Sequence, residues 1–151
     1  MIFLMRHADA VSDEVDLARP LSERGRGQVA RVCELLADVP EFKPVEIWHS
    51  PLVRSRETAT LLAAGLKLNV PVLLKPGLEP DDDPGRIAAQ LAGETRDLAL
   101  VGHEPHLGVL ASIMVHGPQR PGVFYPFSKA SMIALTRSGE AWKSRWLIRS
   151  A

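Results

Sequence analysis

The sequence predicts an α/β fold built on a mostly parallel sheet, and three observations carry that prediction. Short apolar runs alternate with segments of helical periodicity along the chain. The runs are continuous, without the polar alternation of a half-exposed strand, as expected of strands buried on both faces. Helix-start signals, Ser or Asp leading into Pro or an apolar stripe, sit between them. The 151 residues fit one domain, 1–151, large enough to bury a core without staples.

The elements follow in order. Residues 2–5 form the first strand, and the polar, acidic stretch Ala8 to Pro20 reads as a loop. Ser22 caps the first helix, in which Val29, Val32, Cys33 and Leu36 recur at i, i+3, i+4 and i+7 as one buried stripe. Gly25 and Gly27 weaken its first turn. Val45 to Trp48 is the second strand. Ser50-Pro51 supplies an N-cap and a first helical residue for a helix reaching about Leu66. Val70 to Leu74 is the third strand, and Pro76 to Asp83 is a loop. Asp83-Pro84 opens a short helix to about Ala92. Leu98 to Val101 is the fourth strand, followed by a helix from about His106 to Val115 that turns Leu107, Leu110, Ala111 and Met114 inward. Gly117 to Ser128 holds three Pro and two Gly and is a long loop. Ser131 to Thr136 and Trp142 to Ile148 are two late strands at or near a sheet edge, joined by a turn at Ser138-Gly139.

Composition excludes several classes. Lys+Arg and Asp+Glu number 18 each, so the formal net charge is zero, which argues against nucleic acid as a partner. Aromatic residues are 5%, too few for a base-stacking platform. Cys33 is the one cysteine, so neither an internal disulfide nor a Cys-based zinc site can form, and the chain fits a reducing cytoplasm. The apolar N-terminus lasts five residues before Arg6 and His7, too short for a signal peptide. No stretch approaches the roughly 20 apolar residues of a membrane span.

The chemistry lies at the strand ends. Arg6-His7 follows strand one, His49 and Arg54 follow strand two, and His103 follows strand four. The carboxyl ends of parallel strands share one rim, where ligands bind. Two Arg and two or three His therefore converge on one crevice, to which helix N-termini add partial positive charge. The constellation suits a phosphoryl group: Arg offers a fixed, always-charged fork, and a neutral imidazole can attack phosphorus.

These residues resemble a known family. Leu4-Met5-Arg6-His7-Ala8 is similar to the Arg-His-Gly signature of the histidine phosphatase superfamily, which includes the phosphoglycerate mutases. Ser50-Pro51-Leu52-Val53-Arg54-Ser55-Arg56-Glu57-Thr58 resembles its Ser-Pro-x-x-Arg-x-x-x-Thr block, and Gly102-His103-Glu104-Pro105 its Gly-His-x-Pro block. Arg19-Pro20-Leu21-Ser22-x-x-Gly25 and the short length resemble the SixA-type phosphohistidine phosphatases. The resemblance implies a three-layer α/β/α sandwich with a mostly parallel central sheet, phosphoglycerate mutase-like. It implies His7 as the nucleophile, with Arg6, Arg54 and His103 around the phosphoryl oxygens and Arg19 as a further substrate contact. It implies neither metal nor cofactor.

The chain departs from the family in two places. Ala8 replaces the signature glycine, and its methyl would crowd the backbone if that position took a positive φ. Only Pro76 to Thr95 separates strands three and four, too little for a folded lid. Asp9, Glu79, Asp81, Asp82 and Asp83 are the candidates for a general acid. An open crevice admits a side chain displayed by another protein, and imidazole leaves more readily than a sugar alkoxide. Both points favour a phosphohistidine protein as substrate. The alternatives are a phosphomonoesterase acting on a sugar or nucleotide phosphate and, from another class, a non-catalytic phosphate or phosphopeptide binder.

Plainer roles suit the other residues. Arg54 alone would read as a helix-surface charge paired with Glu57 at i+3. Arg24, Arg26 and Arg31 read as a solvated helix face. His49, His106 and His116 read as non-catalytic, with His106 the best placed to line the rim. Asp81-Asp82-Asp83 lacks the spacing of a calcium loop and reads as a turn ending in an N-cap.

Overall fold

Six strands form one sheet in the order β3-β2-β4-β1-β5-β6. The computed structural model describes residues 1–16, 18–118 and 125–151. β1 (Ile2–Arg6), β2 (Glu46–His49), β3 (Val72–Leu74) and β4 (Leu98–Gly102) pair in parallel, and β5 (Met132–Ser138) and β6 (Ala141–Ile148) add antiparallel beyond β1.

Side-chain alternation on the buried strands divides the interior into two cores. Phe3 and Met5 of β1, Ile47 of β2, and Ala99 and Val101 of β4 face one side. There they meet Val29, Val32, Cys33 and Leu36 of α1 (Glu23–Leu36) and Ala59, Leu62 and Ala63 of α2 (Val53–Gly65). Ile2, Leu4, Trp48, Leu98 and Leu100 face the other. They pack on Ile87 and Leu91 of α3 (Pro84–Ala92) and on Leu107, Leu110, Ala111 and Met114 of α4 (His106–His116). The result is the three-layer α/β/α sandwich. Each fully buried Phe or Leu contributes roughly 1.5–3 kcal/mol, so the central strands are the most firmly held part of the molecule.

Register places the site. Arg6 pairs with Gly102 and His49 with Val101, so β1, β4 and β2 end side by side. The His7 N–H continues the ladder to the Gly102 carbonyl at 2.9 Å. His7, Ser50 and His103, each the next residue along, are thereby set on one rim.

Several expectations need correction. Ser50 does not cap α2: the helix starts at Val53, with Leu52 at the cap and no side-chain cap bond. The Ser50 hydroxyl is instead taken by His103. Gly25 is more than a weak helix former. A Cβ there would lie 2.0 Å from the Asp9 carbonyl oxygen, so only glycine lets α1 dock on the loop after the nucleophile position. Ser22 caps α1 as expected, accepting from the Gly25 N–H at 3.0 Å. β3 begins at Val72 rather than Val70 and is a half-exposed edge strand. At the other edge the two late strands lie as expected, β6 outermost and β5 between it and β1. Ala8 is fully buried without a positive φ, so its methyl causes no backbone strain. Of the expected loop Gly117 to Ser128, residues 119–124 lie outside the described residues. None of the helices among the described residues is long and apolar enough to cross a membrane.

Candidate active site

His7 is held on three sides. Its N–H is bonded to β4, its carbonyl accepts from Ala130 N–H at 3.1 Å, and its ring Nδ1 lies 2.7 Å from the Ala8 carbonyl. A carbonyl only accepts, so Nδ1 carries the proton and the Nε2 lone pair is left for the crevice. The ring is buried, with a pKa lowered to about 4. Desolvation is the main cause; the Ala8 bond opposes it, while Arg54, Arg6 and Lys129 reinforce it. At neutral pH the imidazole is uncharged.

His103 lies beside it, ring centroids 5.0 Å apart. Its Nε2 is 2.5 Å from Ser50 Oγ, and its Nδ1 has no partner among the described residues. Ser50 Oγ accepts from the Leu52 N–H at 3.3 Å, and among the described residues Nε2 is the one acceptor in reach of its own proton, which assigns that proton to Nε2. That tautomer puts an N–H on Nδ1, a donor free for a ligand. Burial lowers the His103 pKa to about 3, with His7, Arg54, His106 and Arg6 adding to the effect.

The Ser-Pro-x-x-Arg-x-x-x-Thr block has a mechanical meaning here. Ser55 Oγ donates to the Val101 carbonyl at 2.7 Å and accepts from the Ser50 N–H, which pins the first turn of α2 to the end of β4. Thr58 Oγ1 donates to the Arg54 carbonyl and accepts from the Ala8 N–H, which ties the same turn to the residue after His7. Arg54 is thus fixed relative to both histidines. It does not pair with Glu57, whose carboxylate accepts from Leu21 N–H and approaches Arg26.

Three guanidinium groups share this rim. Arg6, Arg19 and Arg54 form no ion pair among the described residues. Arg6 Nη1 donates to the Phe127 carbonyl at 2.9 Å, while the Nε groups of Arg6 and Arg54 are buried without partners among the described residues. Arg19 is held in a left-handed conformation at φ 49°, with Nε donating to the Val11 carbonyl. Burial, then Arg19 and Arg6, lower the Arg54 pKa. Mutual repulsion among unpaired, partly desolvated cations is relieved by an anion, so the arrangement can take one up.

Of the acid candidates, Asp9, Asp82 and Asp83 are engaged elsewhere. Asp9 accepts from Lys129 Nζ at 2.8 Å and Ser22 Oγ at 2.6 Å, and these bonds hold its carboxyl below the usual range. Asp82 binds the Glu79 N–H, and Asp83 caps α3 through the Gly85 N–H. Asp81 and Glu79 make no side-chain bond to His7 or His103. His106 is buried behind His103, its pKa lowered by burial. His49 and His116 are occupied with the Ser50 carbonyl and the Tyr125 hydroxyl. Among the described residues no His, Cys, Asp and Glu side chains cluster as a metal would require.

Two residues escaped the sequence reading. Ser50 was read as a cap. Glu104, the variable position of Gly-His-x-Pro, accepts from the Gly108 N–H at 2.7 Å and the Phe127 N–H at 3.2 Å. Since the Phe127 carbonyl holds Arg6, Glu104 positions Arg6 through that residue. A charged side chain between a rim histidine and a helix start was the available signal.

The profile of the histidine phosphatase superfamily (branch 1) matches residues 2–79, more than half of the chain. The chain belongs to the histidine phosphatase superfamily. This histidine phosphatase is 34% identical over 149 residues to an uncharacterized protein from Picosynechococcus sp., covering 93% of this chain and 86% of that one. Its fold is similar to that of the protein histidine phosphatase SixA complexed with tungstate, with a TM-score of 0.85, 21% identity, and coverage of 99% and 96% of the two chains. It also resembles a mycobacterial glucosyl-3-phosphoglycerate phosphatase, with a TM-score of 0.68, 18% identity and 95% coverage of each chain. The Gly-His-x-Pro block lies beyond the matched profile, yet the sheet brings it to the same rim as the other two.

Proposed function

We propose that this phosphatase removes the phosphoryl group from phosphohistidine on a protein, in the cytoplasm, using His7 as nucleophile and no metal. The observation that carries the role of His7 is its Nδ1 bond to the Ala8 carbonyl, which leaves a neutral ring with a free Nε2 beside the cationic side chains of Arg54, Arg6 and Lys129. In the first step the Nε2 lone pair forms a bond to phosphorus as the bond to the leaving imidazole breaks, and that imidazole takes up a proton from solvent water. In the second, water forms the new P–O bond, the P–Nε2 bond breaks, and inorganic phosphate departs with His7 restored. Arg6, Arg54 and the Nδ1–H of His103 stabilise the equatorial oxygens, where charge builds in each transition state, and Arg19 adds a peripheral contact.

Two features support a phosphohistidine substrate. None of the side-chain hydrogen bonds of the described residues brings a carboxyl group to His7 or His103, and Asp9 is held ionised, which suits a leaving group needing little acid help. Between β3 and β4 the regular structure is α3, which packs on the core rather than over the rim. The likeness to SixA agrees with this reading. A small phosphomonoester is the second reading, favoured by the likeness to a glucosyl-3-phosphoglycerate phosphatase. Turnover of one enzyme preparation on a phosphohistidine protein and on a panel of sugar and nucleotide phosphates separates them. The proposal expects the protein to lead by at least about tenfold in kcat/KM, roughly 1.4 kcal/mol. A small ester that matches or exceeds it would establish the second reading.

A further inference from the structure

A second cleft of about 460 Å³ opens beside the phosphoryl site and shares Arg6 with it. Arg24 of α1, Lys129, and Arg149 just past β6 also line it, with Asp9 and Gln28 between them. Four cationic side chains set against the one carboxylate side chain of Asp9 leave a local excess of positive charge. The whole chain is neutral, so this excess is local. Lys129 is committed to Asp9 at 2.8 Å. Arg24 and Arg149 are exposed and have no ion-pair partner among the described residues.

These charges lie outside the crevice that holds the phosphoryl group. The crevice around His7 already offers it Arg6, Arg54 and His103, and Arg24 and Arg149 stand on other elements across the cleft. They are placed to meet anionic groups carried elsewhere on the same substrate. Cations drawn from a strand end, a helix, a loop and the segment after β6 suit several separate carboxylates better than one compact group.

We propose that this cleft binds acidic side chains flanking the phosphohistidine of a protein substrate, with Arg24 and Arg149 facing the carboxylates while Arg6 faces the phosphoryl group. The inference rests on the phosphohistidine reading above. Exposed charges of this kind act on encounter and ground-state binding, so the preference belongs in KM, is screened by salt, and leaves kcat alone.

The test uses two synthetic phosphohistidine peptides, identical except for Asp and Glu or Asn and Gln beside the phosphohistidine. The enzyme should prefer the acidic peptide by about fivefold or more in kcat/KM, through KM. That preference should shrink with added salt and fall to about one in Arg24→Gln/Arg149→Gln. Equal kcat/KM for the two peptides in the unmodified enzyme would overturn the proposal, as would a preference that survives both substitutions. If neither peptide is hydrolysed while p-nitrophenyl phosphate is, the phosphohistidine reading fails. The cleft is then judged by competition of the unphosphorylated acidic peptide against p-nitrophenyl phosphate. Inhibition weakened in the double variant supports an acidic-peptide site, and no inhibition overturns it.

Discussion

Replacing His7 with Asn should make the protein less sensitive to acid. In the unfolded chain this imidazole titrates near 6.5, and in the folded protein near 4. Above pH 6.5 the ring is neutral in both states. As pH falls through 6.5 the unfolded chain takes up a proton that the folded one refuses until about pH 4, so stability is lost across that window. At about 1.4 kcal/mol for each tenfold difference in proton affinity, the loss between pH 7 and pH 4 is about 3 kcal/mol. Asn keeps an N–H for the Ala8 carbonyl and removes the titration. Carboxylates that also titrate in this range cancel when the two proteins are compared. Urea unfolding at both pH values, in phosphate-free buffer, gives the quantity directly. His7→Asn should lose about 3 kcal/mol less than the unmodified protein between pH 7 and pH 4. An equal loss in both proteins would refute the account of a buried, neutral His7.

Three further outcomes follow from the geometry. Ser50→Ala should lower kcat/KM by about tenfold, the worth of one buried hydrogen bond, because His103 is no longer held in the tautomer that offers Nδ1–H; unchanged kinetics would remove Ser50 from the site. Gly25→Ala should destabilise the fold by about 2–3 kcal/mol in urea unfolding, since its Cβ would meet the Asp9 carbonyl oxygen at 2.0 Å; a neutral result would mean that the α1 contact is soft. Arg54→Lys should weaken inhibition by inorganic phosphate at least about tenfold, because a point charge cannot replace the fork; an unaltered inhibition constant would place Arg54 outside the anion site.

Much of this was legible in the sequence because the central strands obey a simple rule. Ile2 to Met5 and Leu98 to Val101 are buried on both faces, so their continuous apolar runs mark them without ambiguity. The polar residue that follows each run then falls on the rim, and Arg6, His7 and His103 could be placed there from the chain alone. Less legible were residues whose hydroxyl or carboxylate has two possible uses. Ser50 before Pro51 has the local chemistry of a cap, but a buried imidazole 53 positions away wins the hydroxyl. Glu104 could not be read because its partners, the N–H groups of Gly108 and Phe127, converge on it only after β5 has packed beside β1. Gly25 looked like a cost to helix stability, since its close approach to Asp9 exists only once α1 has docked.

The central claim is that the phosphoryl group passes through Nε2 of His7, and rapid-quench trapping tests it most directly. Enzyme mixed with a ³²P-labelled substrate, quenched in base during turnover and digested, should yield one labelled peptide. Its label should be stable to base, labile to acid, and attached to His7 at Nε2 rather than Nδ1. Label on another residue, or full turnover with no trapped phosphoenzyme and inversion at a chiral phosphorus, would contradict the account.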